Sequence, residues 1–175
     1  MGKKEAKTNA IRILETMKIP YEARTYECDD FVDAAQIADK LGLDHAGMYK
    51  TITTVGKSGG YYVFVVPIDD EIDFKKAAKA AGEKSIEMLH LKDLTKVTGY
   101  IRGGCTSIGM KKQYPTVIQE CAAQFDKVYV SGGRIGTTLC MAPEDLKKVK
   151  AMWKNIIVET SAPFRLALAS AEVKY

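Results

Sequence analysis

The stretch that decides the fold is residues 48–66, which read MYKTITTVGKSGGYYVFVV. Its first half is rich in β-branched residues, which favour extended backbone. Residues 57–60 are typical of a turn, and residues 61–66 are almost wholly apolar. This pattern predicts an antiparallel hairpin, and a second strand as apolar as this one should be covered on both faces.

Helical and extended patterns flank the hairpin on both sides. Towards the N-terminus we predict a helix capped by Thr8 or Asn9 and ending before Pro20, then a strand over residues 21–26. A second helix is predicted over residues 31–41, with Gly42 as its C-terminal stop. Beyond the hairpin the predicted helices are residues 74–81, 86–89, 92–97 and 143–150. The predicted strands are residues 100–101, 116–119, 127–131 and 138–141.

Strand pairs joined by tight glycine turns, with helices between them, predict a domain of the α/β (α+β) class. We expect a mixed, largely antiparallel, barrel-like sheet with flanking helices. The 175 residues, 46% of them hydrophobic, suffice for one compact domain, which we assign to residues 1–160. Residues 161–175 have weak structural signals, so we expect a loosely attached or disordered tail.

Charge and composition narrow the classes of function. The sequence shows neither a secretory signal nor an apolar run near the roughly 20 residues that span a bilayer, so we expect a cytoplasmic protein and no membrane contact. The cysteines at 28, 105, 121 and 140 are widely spaced, as are His45 and His90, which predicts free thiols, no metal site and no cofactor. A net charge of +4 is compatible with a phosphate-rich partner.

The sequence lacks the common catalytic signatures. It has no P-loop and no dinucleotide-binding fingerprint. Cys105 could serve as a nucleophile, but no histidine is evident that would lower the pKa of its thiol. An enzyme with this sequence would therefore act mainly by binding, positioning and electrostatics.

Three segments are candidates for that chemistry. Lys50 lies within a strand pattern, where an ammonium group must emerge at a rim or meet an anion, although it could also face solvent. Residues 99–112 are glycine-rich, with backbone N–H groups that can hold an oxyanion and with Lys111 and Lys112 as candidate phosphate contacts. In residues 129–136, Ser131 ends a strand before a Gly-Gly turn. Plain turns remain alternative interpretations of both glycine segments.

Taken in order, these segments resemble the YbaK/EbsC family of prolyl-tRNA editing proteins. The similar stretches are residues 25–27, 49–51, 73–79, 98–100, 103–112 and 129–133, within a match from about residue 7 to about residue 159. The resemblance implies a mixed-sheet domain related to the editing domain of prolyl-tRNA synthetases. It also implies a cytoplasmic protein that meets aminoacyl-tRNA, above all tRNA(Pro), often beside that synthetase.

The resemblance also implies which residues form the site. Lys50 matches the essential lysine of the family, and Gly103 matches the glycine whose backbone lies against the aminoacyl ester. Tyr26 and Ser131 match pocket residues that position the substrate. We add three neighbours in the two glycine segments as substrate-binding residues, namely Gly104, Thr106 and Gly132.

In similar enzymes the thiol of a misattached cysteine attacks its own ester, which releases a thiolactone and free tRNA. This implies a trans-editing deacylase for Cys-tRNA(Pro) that needs no protein nucleophile. Two positions depart from the family: Ser107 stands where a proline is expected, and Thr138 stands where some members carry aspartate. Three alternatives remain open: a deacylase for another small residue such as alanine on tRNA(Pro), a non-catalytic module that binds tRNA or the synthetase, and a thiol-redox protein, which the lack of paired cysteines disfavours.

Overall fold

The computed structural model describes residues 6–27, 33–149, 151–154 and 156. Within these ranges the helices are α1 (Asn9–Thr16), α2 (Ala34–Leu41), α3 (Phe74–Ala81), α4 (Leu94–Thr98) and α5 (Pro143–Lys147). The strands are β1 (Glu22–Thr25), β2 (Tyr49–Gly56), β3 (Tyr61–Pro67), β4 (Ile86–Met88), β5 (Thr116–Gln119), β6 (Val128–Ser131), β7 (Thr137–Met141) and β8 (Ala151–Lys154).

The strands form two sheets. The larger has the order β4-β2-β3-β5-β8, in which β2 is antiparallel to β3 and β4, whereas β3–β5 and β5–β8 are parallel. The smaller is antiparallel, with the order β1-β7-β6. A single parallel bridge between Met48 and Tyr129 joins the start of β2 to β6. The predicted mixed sheet and hairpin are confirmed.

The barrel-like part of the prediction is wrong, because the sheet does not close. In the part of the chain that the structure describes, β4 and β8 are the edges of the larger sheet, and β1 and β6 are the edges of the smaller one. Closure requires a continuous ladder of hydrogen bonds between edge strands. Here the two sheets meet at one bridge only, and this open junction leaves room for a cavity.

The hairpin supplies the centre of the core, as its apolar second strand predicts. Val63, Phe64, Val65 and Val66 are all fully buried. Val65 packs into a cluster with residues of α1 and the smaller sheet, whereas Phe64 and Val66 pack into a cluster with residues of α3. Because strand side chains alternate between faces, β3 holds both layers to the same sheet.

Three elements differ from the sequence prediction. Residues 86–89 were expected to be helical, but β4 pairs with the end of β2, where Val55 opposes Glu87. A short apolar run does not distinguish helix from strand, and here an available sheet edge decides the outcome. Residues 100–101 form no strand. The last helix ends at Lys147, and β8 follows it in parallel to β5, a pairing that no local pattern predicted.

Helix ends follow the predicted local chemistry. Thr8 caps α1 by accepting a hydrogen bond from Ile11 N at 3.2 Å, and Gly42 ends α2 in the left-handed conformation with φ of 66°. None of the helices in the described ranges is long and apolar enough to cross a membrane. The predicted start of α2 at residues 31 and 32, the thiol of Cys28 and the tail at residues 161–175 lie outside the described residues.

Candidate active site

A cavity of about 480 Å³ opens where the start of β2 passes between α2, the glycine segment and the end of β6. Three of the predicted site residues, Lys50, Gly103 and Ser131, line it together. The rest of its wall is mostly apolar, and Met88 and Leu91, which are about half exposed, belong to both the wall and the surface. The cavity therefore combines an apolar body with a few polar groups, as small-molecule sites commonly do.

Lys50 is the basic side chain that β2 contributes to this cavity. Its position in the strand is fixed by pairing with Val66 of β3. The Nζ atom donates a hydrogen bond to the carbonyl oxygen of Ile68 at 3.2 Å, and the side chain is partly exposed. No carboxylate among the described residues pairs with this ammonium group. Its positive charge is thus available to an anionic or developing-anionic group in the cavity.

Gly103 lies in a tight turn that only glycine fits easily. The N–H group of Gly104 donates to the carbonyl of Ile101 at 3.1 Å, which closes the turn, and Gly103 has φ of 88°. A positive φ at the third position of a turn favours glycine, because it has no Cβ. Because the N–H group of Gly104 already donates a hydrogen bond within the turn, the N–H group of Gly103 is the better donor for a ligand.

Backbone packing joins the two glycine segments. A Cβ built on Gly104 would lie 2.7 Å from Cα and 2.8 Å from C of Arg134, so the two chains touch at main-chain distance. Gly132 is similarly enclosed, with the methyl group of Thr137 at 2.6 Å from such a Cβ. These contacts bring Gly103 and Ser131 to one cavity although 27 residues lie between them in sequence.

Helix α1 and Tyr100 hold the glycine segments from behind. The hydroxyl of Thr8 donates to the carbonyl of Gly132 at 2.6 Å, and Asn9 Nδ2 donates to the carbonyl of Gly109 at 2.5 Å. The hydroxyl of Tyr100 donates to the carbonyl of Ile108 at 2.7 Å. Burial raises the pKa of Tyr100 to about 12, so this donor stays protonated. The sequence prediction treated this tyrosine as part of a strand and missed its supporting role.

The remaining predicted site residues lie outside the cavity wall. Thr106 is fully buried, and Gly104 and Gly132 serve close packing between the two segments. Tyr26 is partly buried against the cluster of Ile37, Ala38 and Met48. These four positions shape the surroundings of the cavity, and their contact with a substrate remains a prediction.

The imidazole of His45 connects helix α2, which lines the cavity, to Asp69. His45 Nε2 lies 3.0 Å from Asp39 Oδ1 of α2, and Nδ1 lies 3.1 Å from Asp69 Oδ2. The hydrogen bonds to Asp39 and then Asp69 raise the pKa of His45, because both stabilise the protonated ring. Asp69 follows Ile68, whose carbonyl binds Lys50, so the same segment holds α2 and the lysine.

Cys105 lines the cavity but is not an activated nucleophile. Burial raises the pKa of its thiol, and hydroxyl groups of Thr98 and Thr53 offset this only in part. Its Sγ atom is 4.0 Å from Thr98 Oγ1. In the described part of the chain no three His, Cys, Asp or Glu side chains converge as metal ligands. A neutral buried thiol reacts slowly as a nucleophile.

Several residues of the cavity wall were not predicted from the sequence. Thr53, Arg102 and Asp33 line the cavity, together with the apolar side chains of Leu89, Leu91 and Leu94. No local signal indicates Thr53, because residues three apart in a strand point to opposite faces. No sequence motif predicts the leucines, because the segments that carry them are brought to the cavity only by tertiary packing.

The cavity has in its wall both a glycine turn and a lysine without a carboxylate partner in the described ranges, an arrangement that suits a small acyl or phosphoryl group. Comparison with known proteins makes the class definite. The aminoacyl-tRNA editing domain family matches residues 28–149. The chain belongs to this family, which confirms the resemblance predicted from the sequence.

A curated relative and two solved structures agree with this assignment. The chain is 47% identical over 143 residues to the "Putative Cys-tRNA(Pro)/Cys-tRNA(Cys) deacylase EbsC" of Enterococcus faecalis (strain ATCC 700802 / V583), a match that covers 81% of this chain and 87% of that protein. A structure titled as a "putative trans-editing enzyme for prolyl tRNA synthetase" superposes with a TM-score of 0.76 at 20% identity over 89% of this chain and 100% of that one. The hypothetical protein APE2540 gives a TM-score of 0.78 at 20% identity over 86% and 99%. The two structures show that the fold is shared.

Proposed function

We propose that this protein is a trans-editing deacylase that removes cysteine from mischarged Cys-tRNA(Pro). The observation that carries the proposal is the meeting of Lys50, Gly103 and Ser131 at one cavity of amino-acid size. Membership of the aminoacyl-tRNA editing family and the name of the relative with 47% identity support the same activity. We further propose that residues 1–160 form the catalytic domain, that the protein acts in the cytoplasm, and that prolyl-tRNA synthetase is a partner.

The substrate supplies the nucleophile in this mechanism. The sulfur of the cysteinyl group attacks its own ester carbonyl, and the bond from that carbon to the 3′-oxygen of the terminal ribose breaks. The thiol proton passes to the departing oxygen, so the products are a thiolactone and tRNA with a free hydroxyl group. No water is consumed. This explains how a site whose Cys105 thiol stays neutral and is only partly exposed could still cleave an ester.

The protein stabilises the charge that develops during this attack. The N–H group of Gly103 would donate to the carbonyl oxygen as it becomes anionic, and the ammonium group of Lys50 would favour the same charge electrostatically. Ser131 lines the cavity from the opposite glycine segment and can donate a hydrogen bond to the amino-acid portion. The apolar wall limits water, which strengthens each of these interactions.

The segment that carries Gly103 also concentrates positive charge. Residues 91–112 contain five basic residues and one acidic residue, a net charge of +4, which equals the net charge of the entire chain. Arg102 lines the cavity, and Lys92, Lys96 and Lys112 are exposed. Exposed Met88 and Leu91 add apolar surface at the mouth that a terminal base could cover. We therefore assign this face to the phosphates and last bases of the tRNA acceptor end.

A panel of aminoacyl-tRNAs tests the chemistry. We expect rapid release of tRNA from Cys-tRNA(Pro) and no measurable release after the substrate thiol is alkylated, because the capped sulfur cannot attack. Ala-tRNA(Pro) has no thiol and should likewise not be cleaved measurably. Ester cleavage, measured by loss of radiolabelled aminoacyl-tRNA, separates the outcomes. Ready hydrolysis of the capped substrate would instead indicate attack by water, and tRNA binding without cleavage of any ester would indicate a non-catalytic module.

Salt dependence tests the basic face. Replacement of Lys92, Lys96 and Lys112 together by alanine should weaken tRNA binding and reduce the slope of log K against log salt by about one for each lysine–phosphate interaction that the substitutions remove. The matched control replaces Lys57, Lys84 and Lys127, which are also exposed and change the net charge equally. Equal weakening in both triple variants would mean that net charge, and not this face, governs binding.

A further inference from the structure

The wall of the cavity contains a buried hydroxyl group without a hydrogen-bond partner. Thr53 lines the cavity, its residue is 5% exposed, and its Oγ1 atom bonds to no other group in the described ranges. Buried side-chain oxygens are almost always paired in native proteins, so each exception calls for an explanation. Because Thr53 belongs to the wall of a cavity, a ligand bound there can supply the missing partner.

Hydrogen bonds hold the backbone around Thr53 on both sides. Thr53 pairs with Val63 of β3, and its carbonyl accepts a hydrogen bond from Leu89 N at 3.1 Å. The adjacent Thr54, whose side chain points to the other face of β2, behaves normally, since its hydroxyl donates to the carbonyl of Tyr62 at 2.9 Å. Of these two neighbouring hydroxyls, the unpaired one belongs to the residue that lines the cavity, and Thr54 does not line it.

The Cys105 thiol is a polar neighbour of this hydroxyl, and both residues line the cavity. Thr53 lies near enough to Cys105 to lower the pKa of the thiol, although no hydrogen bond joins Thr53 Oγ1 to it. The Cys105 side chain approaches the hydroxyl of Thr98 instead, at 4.0 Å. Thr53 and Cys105 together present two neutral, weakly polar groups to the cavity. Such a pair suits a small uncharged side chain that ends in a heteroatom.

We propose that the Thr53 hydroxyl receives the terminal heteroatom of the substrate's amino-acid side chain. This inference rests on the proposed deacylase function and identifies the side-chain class as a thiol or hydroxyl. For a cysteinyl ester, Thr53 Oγ1 accepts a hydrogen bond from the thiol and holds the sulfur near the carbonyl that it attacks. Thr53 is therefore a positioning residue, since the sulfur itself performs the chemistry.

The substitution Thr53→Val tests this role because it removes the hydroxyl and keeps the shape of the side chain. We expect kcat/KM for Cys-tRNA(Pro) to fall about 3- to 10-fold, the worth of one neutral hydrogen bond. The affinity for Ala-tRNA(Pro), which has no side-chain heteroatom, should not fall. Thr53→Ser should restore cysteine turnover. The melting temperature of Thr53→Val should stay the same or rise by about 2–4 °C, because a buried unpaired group is removed.

Thr54→Val is the matched control in the same strand. It should lower the melting temperature, since the Tyr62 carbonyl loses its donor, and leave kcat/KM for Cys-tRNA(Pro), measured well below that temperature, unchanged. Unchanged cysteine turnover in Thr53→Val, or failure of Thr53→Ser to rescue a loss, would overturn the inference. Such an outcome at Thr53 would leave the proposed function intact, provided that the wild-type protein is active and Lys50→Ala is not. If the wild-type protein cleaves no ester, both fail.

Discussion

Replacement of Lys50 by alanine is expected to lower kcat/KM for Cys-tRNA(Pro) by about 100- to 1,000-fold, the range seen when one preorganised donor to a developing oxyanion is removed. Lys50 is the charged group of β2 at the cavity, and no carboxylate among the described residues neutralises it. The measurement is single-turnover deacylation, which isolates the chemical step from tRNA release.

The fold of Lys50→Ala should survive. The side chain is partly exposed, and its Nζ atom makes one described hydrogen bond, to the Ile68 carbonyl. We expect the melting temperature to change by no more than about 2–4 °C, the equivalent of about 1 kcal/mol. Lys57→Ala, in the turn of the same hairpin, is the control and should keep full activity. Deacylation within threefold of wild type in Lys50→Ala would remove this lysine from the active site.

Replacement of Gly104 by alanine should damage both stability and activity. The new Cβ would lie 2.7 Å from Cα of Arg134, and a main-chain atom cannot move aside as a flexible side chain can. Forced separation of the two segments should cost about 1–3 kcal/mol, as overpacking does elsewhere. That corresponds to a fall of about 2–12 °C in melting temperature.

The loss of activity in Gly104→Ala should exceed what unfolding explains. Gly103 and Ser131 come from the two segments that would separate, and a displacement of about 1 Å in positioned groups can cost about 100-fold in rate. Gly47→Ala is the control, because Gly47 is also buried but a Cβ there would meet its nearest neighbour at 3.7 Å. Unaltered deacylation by Gly104→Ala, measured well below its melting temperature, would show that the spacing of the segments does not matter.

Local sequence patterns predicted much of the fold. The hairpin of β2 and β3 followed from β-branched and apolar runs around a glycine turn, and α3 followed from its helical periodicity. Such features depend on neighbours within a few residues, which the sequence displays directly. The strand β8 and the conversion of residues 86–89 from predicted helix to strand depended on distant partners, β5 and β2, and could not be seen locally.

The candidate site divides in the same way. By itself, the sequence determined which residue types could act, a lysine in a strand and two glycine segments, and it identified the family from their order. Only the tertiary structure placed Gly103 and Ser131 in one cavity with Lys50. Only the tertiary structure packed Gly104 against the main chain of Arg134 and left the Thr53 hydroxyl without a hydrogen-bond partner. The physical reason is that the chemistry of a side chain is a property of the residue itself, whereas its burial and its close contacts arise only when segments remote in sequence pack together and exclude water.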